Sequence, residues 1–480
     1  MMKNSTLKRL LSLFIVIVML ISGSSQMTVS ASGGPPDGVQ ITDMYSPWAY
    51  WDIYMAQNVY NLGNEGTYSN FKGGFTWMKF TPVLGSIAAK FGIDMEWAEK
   101  EEYAFTRGET IEALYSIIIE VLELEEPAKA IDYFAFHELI TGRSFKDYQL
   151  DKKCTTEEMI VFSVRVYDHI VHRLKLDSKG FFWKVTGESN TIYLLGSIHI
   201  SDGSLYPLNP KIEAAFNGSE YLVLEITPDQ SDEDMEYYMT KGMILDGSTI
   251  KDYIDPDVYE LYEWVCQTLG MEKEVYDKLQ PWMAESLLGY LAYAMTSEYD
   301  DIDSLLNNLE EMDLLGIESH FTQRAMNGEK IMIQLESARH QADFLSSFSP
   351  ELQEFMLFWV LVDFYEFFTG ESIFDDDFYE ENERTTAVES LYNTLEIWKK
   401  GDEKALIKII GLDVEWEHPI DIEYNYIMLT LRNIAMVEQI LEFLNDDADY
   451  FIVVGAAHMF GKDGIVQLLI DEGYKVERVR

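Results

Sequence analysis

The chain has 480 residues, with 83 acidic side chains against 36 basic ones and a formal charge of −47. That balance excludes a grip on nucleic acid through phosphate neutralisation, which needs a basic face. A hydrophobic share of 47% with 14% aromatics excludes a disordered chain, and the length predicts two or three domains.

At the start, Lys3, Lys8 and Arg9 precede the apolar run Leu10 to Ile21, and Val29-Ser30-Ala31 places small side chains where a signal peptidase reads. These parts predict a secretory signal peptide over 1–31 and a Gly/Pro-rich linker over 32–40. The apolar run is too short to span a bilayer comfortably, and later apolar stretches such as Met356 to Thr369 are broken by charge or polarity. The expectation is a secreted protein with no stable membrane insertion after cleavage. Cys154 and Cys266 are the whole cysteine complement, so the chain is not a disulfide scaffold. They could pair once or remain two buried thiols. Neither sits in a glycine-rich or basic setting that would make a catalytic thiolate.

Residues 41–176 read as helical. Phe105-Thr106-Arg107-Gly108-Glu109 opens an apolar periodic run over Thr110 to Leu124, and Cys154-Thr155-Thr156-Glu157-Glu158 opens another over Met159 to Leu174. A threonine near a glutamate ahead of such a run is a helix N-cap signal. Leu139 to Phe145 is a turn-like entry to the second. Thr-Arg-Gly-Glu and Leu-Ile-Thr-Gly ahead of capped helices resemble S-layer homology repeats, which implies binding to cell-wall polysaccharide. Ordinary capped helices carry the same signal.

The texture changes at Ser178-Lys179-Gly180. Phe181 to Val185 and Thr191 to Leu195 read as strands around a polar turn, followed by strand-like Tyr221 to Ile226 and Tyr450 to Val454. Between them, Gln280 to Met295, Phe321 to Met326, Leu352 to Phe368, Ala387 to Lys399 and Ile427 to Leu444 carry helical spacing. Residues 177–480 are therefore expected to form an α/β domain, with a central sheet flanked by helices, behind a mostly helical N-terminal domain.

Two segments of this domain rhyme. Ile192 to His199 and Phe451 to His458 are each an apolar strand running into Gly-x-x-His. Glycine permits a tight turn, and the histidine then projects from the sheet edge, where α/β proteins build their sites. Imidazole in that place suits a metal ligand or a general base, although a satisfied structural histidine would look the same. Glu225 interrupts the apolar strand Tyr221 to Ile226, and Glu336 ends the run from Lys330, with Gln341 close behind. A carboxylate in an apolar strand is expensive unless it binds a metal or pairs with a cation. Two histidines with one or two carboxylates would suit a divalent cation such as Mn, Co or Zn, although Glu225 alone could equally be salt-bridged. Five others (His169 and His172 on one helix, His320, His340 and His418) lack further ligands nearby in sequence. A phosphate-cradling loop and a Gly-x-Ser-x-Gly elbow are both absent.

Taken in order, Gly196-Ser197-Ile198-His199, Tyr206-Pro207-Leu208, Val223-Leu224-Glu225, Gln280-Pro281-Trp282, Gly316-Ile317-Glu318, Leu335-Glu336-Ser337, Arg432-Asn433 and Gly455-Ala456-Ala457-His458 resemble the TraB/GumN family, and through it the Tiki-type metal-dependent proteases. The resemblance spans about 180 to 478. It implies His199 and His458 as metal ligands, with Glu225 or Glu336 as the third ligand and the other as general base. Arg432 would steady an oxyanion or form a structural ion pair. The expected function is a secreted metal-dependent hydrolase acting on an extracellular peptide or protein. The alternatives are a non-enzymatic protein that sequesters a peptide signal and a cell-wall-associated scaffold.

Overall fold

The computed structural model describes residues 44–95, 104–125, 127–140, 147–293, 295, 312, 315–328, 330–374, 387–414 and 416–480. The expected leader and linker, and residues 141–145 of the expected turn, lie outside them. The described residues form two compact units, one holding the chain up to Ser178 with Tyr206–Pro210, the other Lys179–Leu205 with Lys211–Arg480.

The first unit is helical. Its two threonine signals are capping boxes: Thr106 exchanges bonds with Glu109 ahead of α1 (Arg107–Val121), and Thr155 with Glu158 ahead of α2 (Thr156–Leu174). Both helices begin three residues before the apolar periodicity does, because a capping box places its glutamate inside the first turn. Main-chain bonds tie the two starts together, from Cys154 N–H to Phe105 O (2.8 Å) and from Arg107 N–H to Lys152 O (2.9 Å). The Arg107 guanidinium then pairs with Glu158.

The second unit is built on a six-stranded sheet of order β4-β3-β5-β2-β1-β6. The strands are β1 (Phe181–Thr186), β2 (Thr191–Ser197), β3 (Tyr221–Leu224), β4 (Ile331–Gln334), β5 (Tyr450–Gly455) and β6 (Lys475–Arg478). The four strands β4, β3, β5 and β2 are parallel neighbours, while β1 pairs antiparallel with β2 and β6. Central β5 is buried from Tyr450 to Val454, consistent with its unbroken apolar sequence. Each such aliphatic residue stabilises the fold by roughly 1.5–3 kcal/mol on burial. The sheet matches the expectation and adds β6, which its sequence does not announce: Lys-Val-Glu-Arg alternates as a half-exposed edge strand, too briefly to stand out.

Strand alternation sorts the helices onto the two faces. Phe451 packs against Phe216 of α3 (Pro210–Gly218) and Phe321 of α4 (Ile317–Gly328), with centroids 5.6 and 4.9 Å away. Its neighbour Tyr450 stacks at 4.7 Å on Phe443 of α5 (Arg432–Leu444). Helix α5 continues Pro419–Asn425 through a π-helical stretch, Tyr426–Leu431, and its C-terminus feeds β5. It therefore runs back along the sheet and brings Arg432 and Asn433 to the edge where the parallel strands end. At the domain entrance, Gly180 has φ +57° and would push a Cβ within 2.9 Å of the Trp398 ring, so only glycine lets that indole seat. The buried Trp398 Nε1–H donates to Gly196 O at 2.6 Å, holding the end of β2.

Candidate functional site

Because β4, β3, β5 and β2 are parallel, their carboxyl ends lie along one edge. Each hands over a polar side chain just beyond its last residues: Glu336 after β4, Glu225 after β3, His458 after β5 and His199 after β2. Registration is close, with Ser197 opposite Gly455 and Leu224 opposite both Val453 and Gln334. Residues separated by up to 259 positions thus meet at one place.

Gly455 is the corner. Its N–H donates to Glu225 Oε1. A Cβ there would lie 3.1 Å from Glu225 Oε1, 3.5 Å from His458 Cδ2 and 4.0 Å from His199 Nε2. With a φ of −48° the glycine is needed for room, not for a left-handed backbone.

The imidazole of His458 is buried, and its Nδ1 lies 2.7 Å from Asn433 Oδ1. Asn433 Nδ2 donates to Asp463 O at 2.8 Å, which fixes the amide with its oxygen toward the ring. Nδ1 therefore carries the proton, and Nε2, 3.8 Å from Glu225 Oε1, carries the lone pair. Burial, reinforced by the charges of Arg432 and His199 and opposed by Glu225, pushes the His458 pKa down to about 4, so the ring is neutral at pH 7. His199, half exposed, holds Nδ1 3.1 Å from Glu318 Oε1, and the same oxygen accepts from Ser197 Oγ.

Arg432 joins the two glutamates. Its Nε donates to Glu336 Oε1 at 2.8 Å, and its Nη2 to Glu336 Oε2 at 2.9 Å and Glu225 Oε2 at 2.8 Å. Burial favours the neutral form of Glu225, but the neighbouring His458, Arg432 and His199 charges and the Gly455 N–H outweigh it and hold the carboxyl well below its usual range. The Arg432 guanidinium is held still more firmly protonated, because its two carboxylates overcome its burial. Gln341 Nε2 reaches Glu336 Oε2 at 3.5 Å.

All five sequence-predicted site residues (His199, Glu225, Glu336, Arg432 and His458) lie at this edge. They do not play equal parts there: Glu225 faces the imidazoles, whereas both oxygens of Glu336 are turned to Arg432. Among the described residues no set of three or more His, Cys, Asp and Glu side chains is drawn together tightly enough to hold a metal ion. The remaining histidines are elsewhere. His320 lies 3.3 Å from Glu213, His340 and His418 cap their own helices, and His137, His169 and His172 belong to the helical unit. In the linear motifs Glu318, Ser197 and Asn433 have no role, and Gly455 only that of a tight turn. Only the fold pairs them with the histidines.

Fold and site define an α/β protein whose polar centre, two histidines and an Arg-bridged pair of glutamates, crowns the carboxyl ends of parallel strands. Residues 181–478 match the TraB/PrgY/gumN family model, and the chain belongs to that family. The match does not include the helical unit before Ser178. No curated protein and no solved structure matches the chain.

Proposed function

We propose that this protein is a secreted metal-dependent hydrolase acting on peptide bonds. The observation that carries the proposal is the pairing of the imidazoles: each Nδ1 lies within 3.1 Å of an oxygen acceptor, His458 Nε2 is 3.8 Å from Glu225 Oε1, and His199 Nε2 is 4.0 Å from where a Gly455 Cβ would stand. Histidines that ligate metals are oriented in this way by the group on their other nitrogen. Two imidazole nitrogens and a carboxylate oxygen are a donor set for Mn, Co or Zn, and the side-chain-free Gly455 leaves the space into which they would have to close on an ion.

His199 and His458 would hold the ion through Nε2. Such an ion supplies Lewis acidity to a carbonyl and lowers the pKa of water. The chain's own residues do the rest. Glu225, kept ionised, serves as third ligand or as acceptor of the proton that the attacking water gives up. That proton passes on to the leaving amine, so that the peptide bond breaks with water added across it. Arg432 sets the orientation of Glu225 and is in turn held by Glu336, so both act as positioning residues. Export is supported by the basic, apolar and small-residue segments over 1–31, and no helix among the described residues is long and apolar enough to cross a membrane.

The test is cleavage of a peptide library by purified protein supplied with Mn²⁺, Co²⁺ or Zn²⁺. His199→Ala and His458→Ala should each abolish both cobalt binding and cleavage. Glu225→Gln separates its two roles: loss of cobalt makes it a ligand, retention without turnover makes it the proton acceptor. Metal binding by the wild type without cleavage of any peptide would leave a binding protein in place of an enzyme.

A further inference from the structure

The geometry points to Glu318 and Asn433 as positioning residues that fix the tautomer of the two site histidines, each with an acceptor matched to its ring's surroundings. This inference rests on the metal-site proposal above.

Glu318 stands in the first turn of α4, whose start is tied to the loop carrying His199: Ile317 N–H donates to Ile198 O at 3.0 Å. The carboxylate is thus presented to His199 by a main-chain clamp. Its Oε1 accepts from the Ser197 hydroxyl and lies 3.1 Å from His199 Nδ1. Its Oε2 is buried with no hydrogen-bond partner among the described residues. A buried carboxylate oxygen left unpaired is costly, and an apolar side chain would avoid that cost. Retaining a carboxylate here is therefore explained by what it does to His199: it fixes the proton on Nδ1, directs Nε2 to the corner and raises the basicity of that nitrogen.

Asn433 does the same for His458 without a charge. The reason lies in the surroundings. His458 is 4% exposed and already faces Glu225, so a second carboxylate on its far side would bury another anion beside the Glu225–Arg432–Glu336 group. A neutral amide, locked by Asp463 O, supplies the acceptor oxygen alone. His199 is half exposed, so water reaches its ring, although the Glu318 carboxylate behind it is itself largely buried. A carboxylate on the exposed ring and a carboxamide on the buried one follow from the same electrostatics.

The experiment is titration of the metal-stripped full chain with Co²⁺, read by calorimetry and by the visible absorption of bound cobalt, alongside thermal unfolding of each variant without metal. Glu318→Ala and Asn433→Leu should weaken Co²⁺ binding by roughly 10–100-fold. Glu318→Gln, which keeps an acceptor oxygen without the charge, should recover part of that loss, and Asn433→Asp, which keeps an acceptor but adds a buried anion, should recover less. If the wild type takes up no cobalt, or His199→Ala takes it up equally well, the metal-site proposal fails. If the wild type binds and His199→Ala does not, while Glu318→Ala binds within about twofold of wild type, the metal site stands and the positioning inference falls. Loss of affinity in proportion to loss of thermal stability, with no recovery in the acceptor-keeping variants, would also overturn it, because that is what a merely structural role predicts.

Discussion

Replacing Arg432 with lysine tests whether the guanidinium holds the site together. Arg432 makes charge-assisted bonds at 2.8, 2.8 and 2.9 Å to two buried carboxylates. An ammonium on a flexible stem cannot reproduce the two-pronged contact with Glu336 while also reaching Glu225. Hydrogen bonds to charged groups contribute about 1.5–3 kcal/mol each, and breaking a buried ion pair by removing one partner costs about 3–5 kcal/mol. Lysine keeps the charge but loses one or two of the bonds, so Arg432→Lys should destabilise the sheet unit by about 2–4 kcal/mol. In thermal terms, for a unit of this size, the midpoint should fall by roughly 3–6 °C. Urea unfolding followed by tryptophan fluorescence and near-ultraviolet circular dichroism measures this directly. Adding Glu336→Gln to the lysine variant should then cost less than it does in the wild type, with a coupling of about 1.5 kcal/mol or more. A lysine variant within about 0.5 kcal/mol of wild type, or strictly additive single changes, would refute the reasoning.

Gly455→Ala should fill the corner, since the new Cβ lies 3.1 Å from Glu225 Oε1. The backbone is in an ordinary region, so cobalt affinity should fall at least tenfold, on the order seen when a ligand's supporting group is lost, while the unit stays folded by circular dichroism. Unchanged affinity would show that the ion, if bound, sits elsewhere. In the helical unit, burial first, then His137, Arg173 and His172, push His169 down to about 4, against an ordinary value of 6.5. The folded state therefore binds fewer protons than the unfolded one between those values. Stability is fully present above about pH 6.5 and declines as pH falls toward 4, by about 1–2 kcal/mol once solvent screening is allowed for. His169→Gln should flatten that decline in denaturant titrations at pH 4.5 and 7.5, and an unchanged slope would sink the assignment. Burial pushes the Cys154 thiol up to about 12 and the Cys266 thiol up as well, and both are free and buried. A thiol reagent should label neither in the native chain and both in urea. Rapid native labelling of either would contradict the packing.

What the sequence determined by itself was local. The strands ending in Gly196 and Gly455 are legible because an unbroken apolar run closed by glycine has few other uses, and the threonine caps because a capping box needs only four consecutive residues. Histidine and glutamate at the ends of such strands were legible as candidates because charge and apolar burial conflict within the strand itself. The tertiary structure alone decided what each one faces. Parallel order β4-β3-β5-β2 sets Glu336, Glu225, His458 and His199 side by side, and the return of α5 along the sheet delivers Arg432 and Asn433 to the same edge. Hence Glu336 is committed to Arg432 rather than to the imidazoles, and Glu318, without a role in the linear text, stands behind His199. Hydrogen bonds act over about 3 Å, so partners distant in sequence are fixed only when the sheet brings their strands into register.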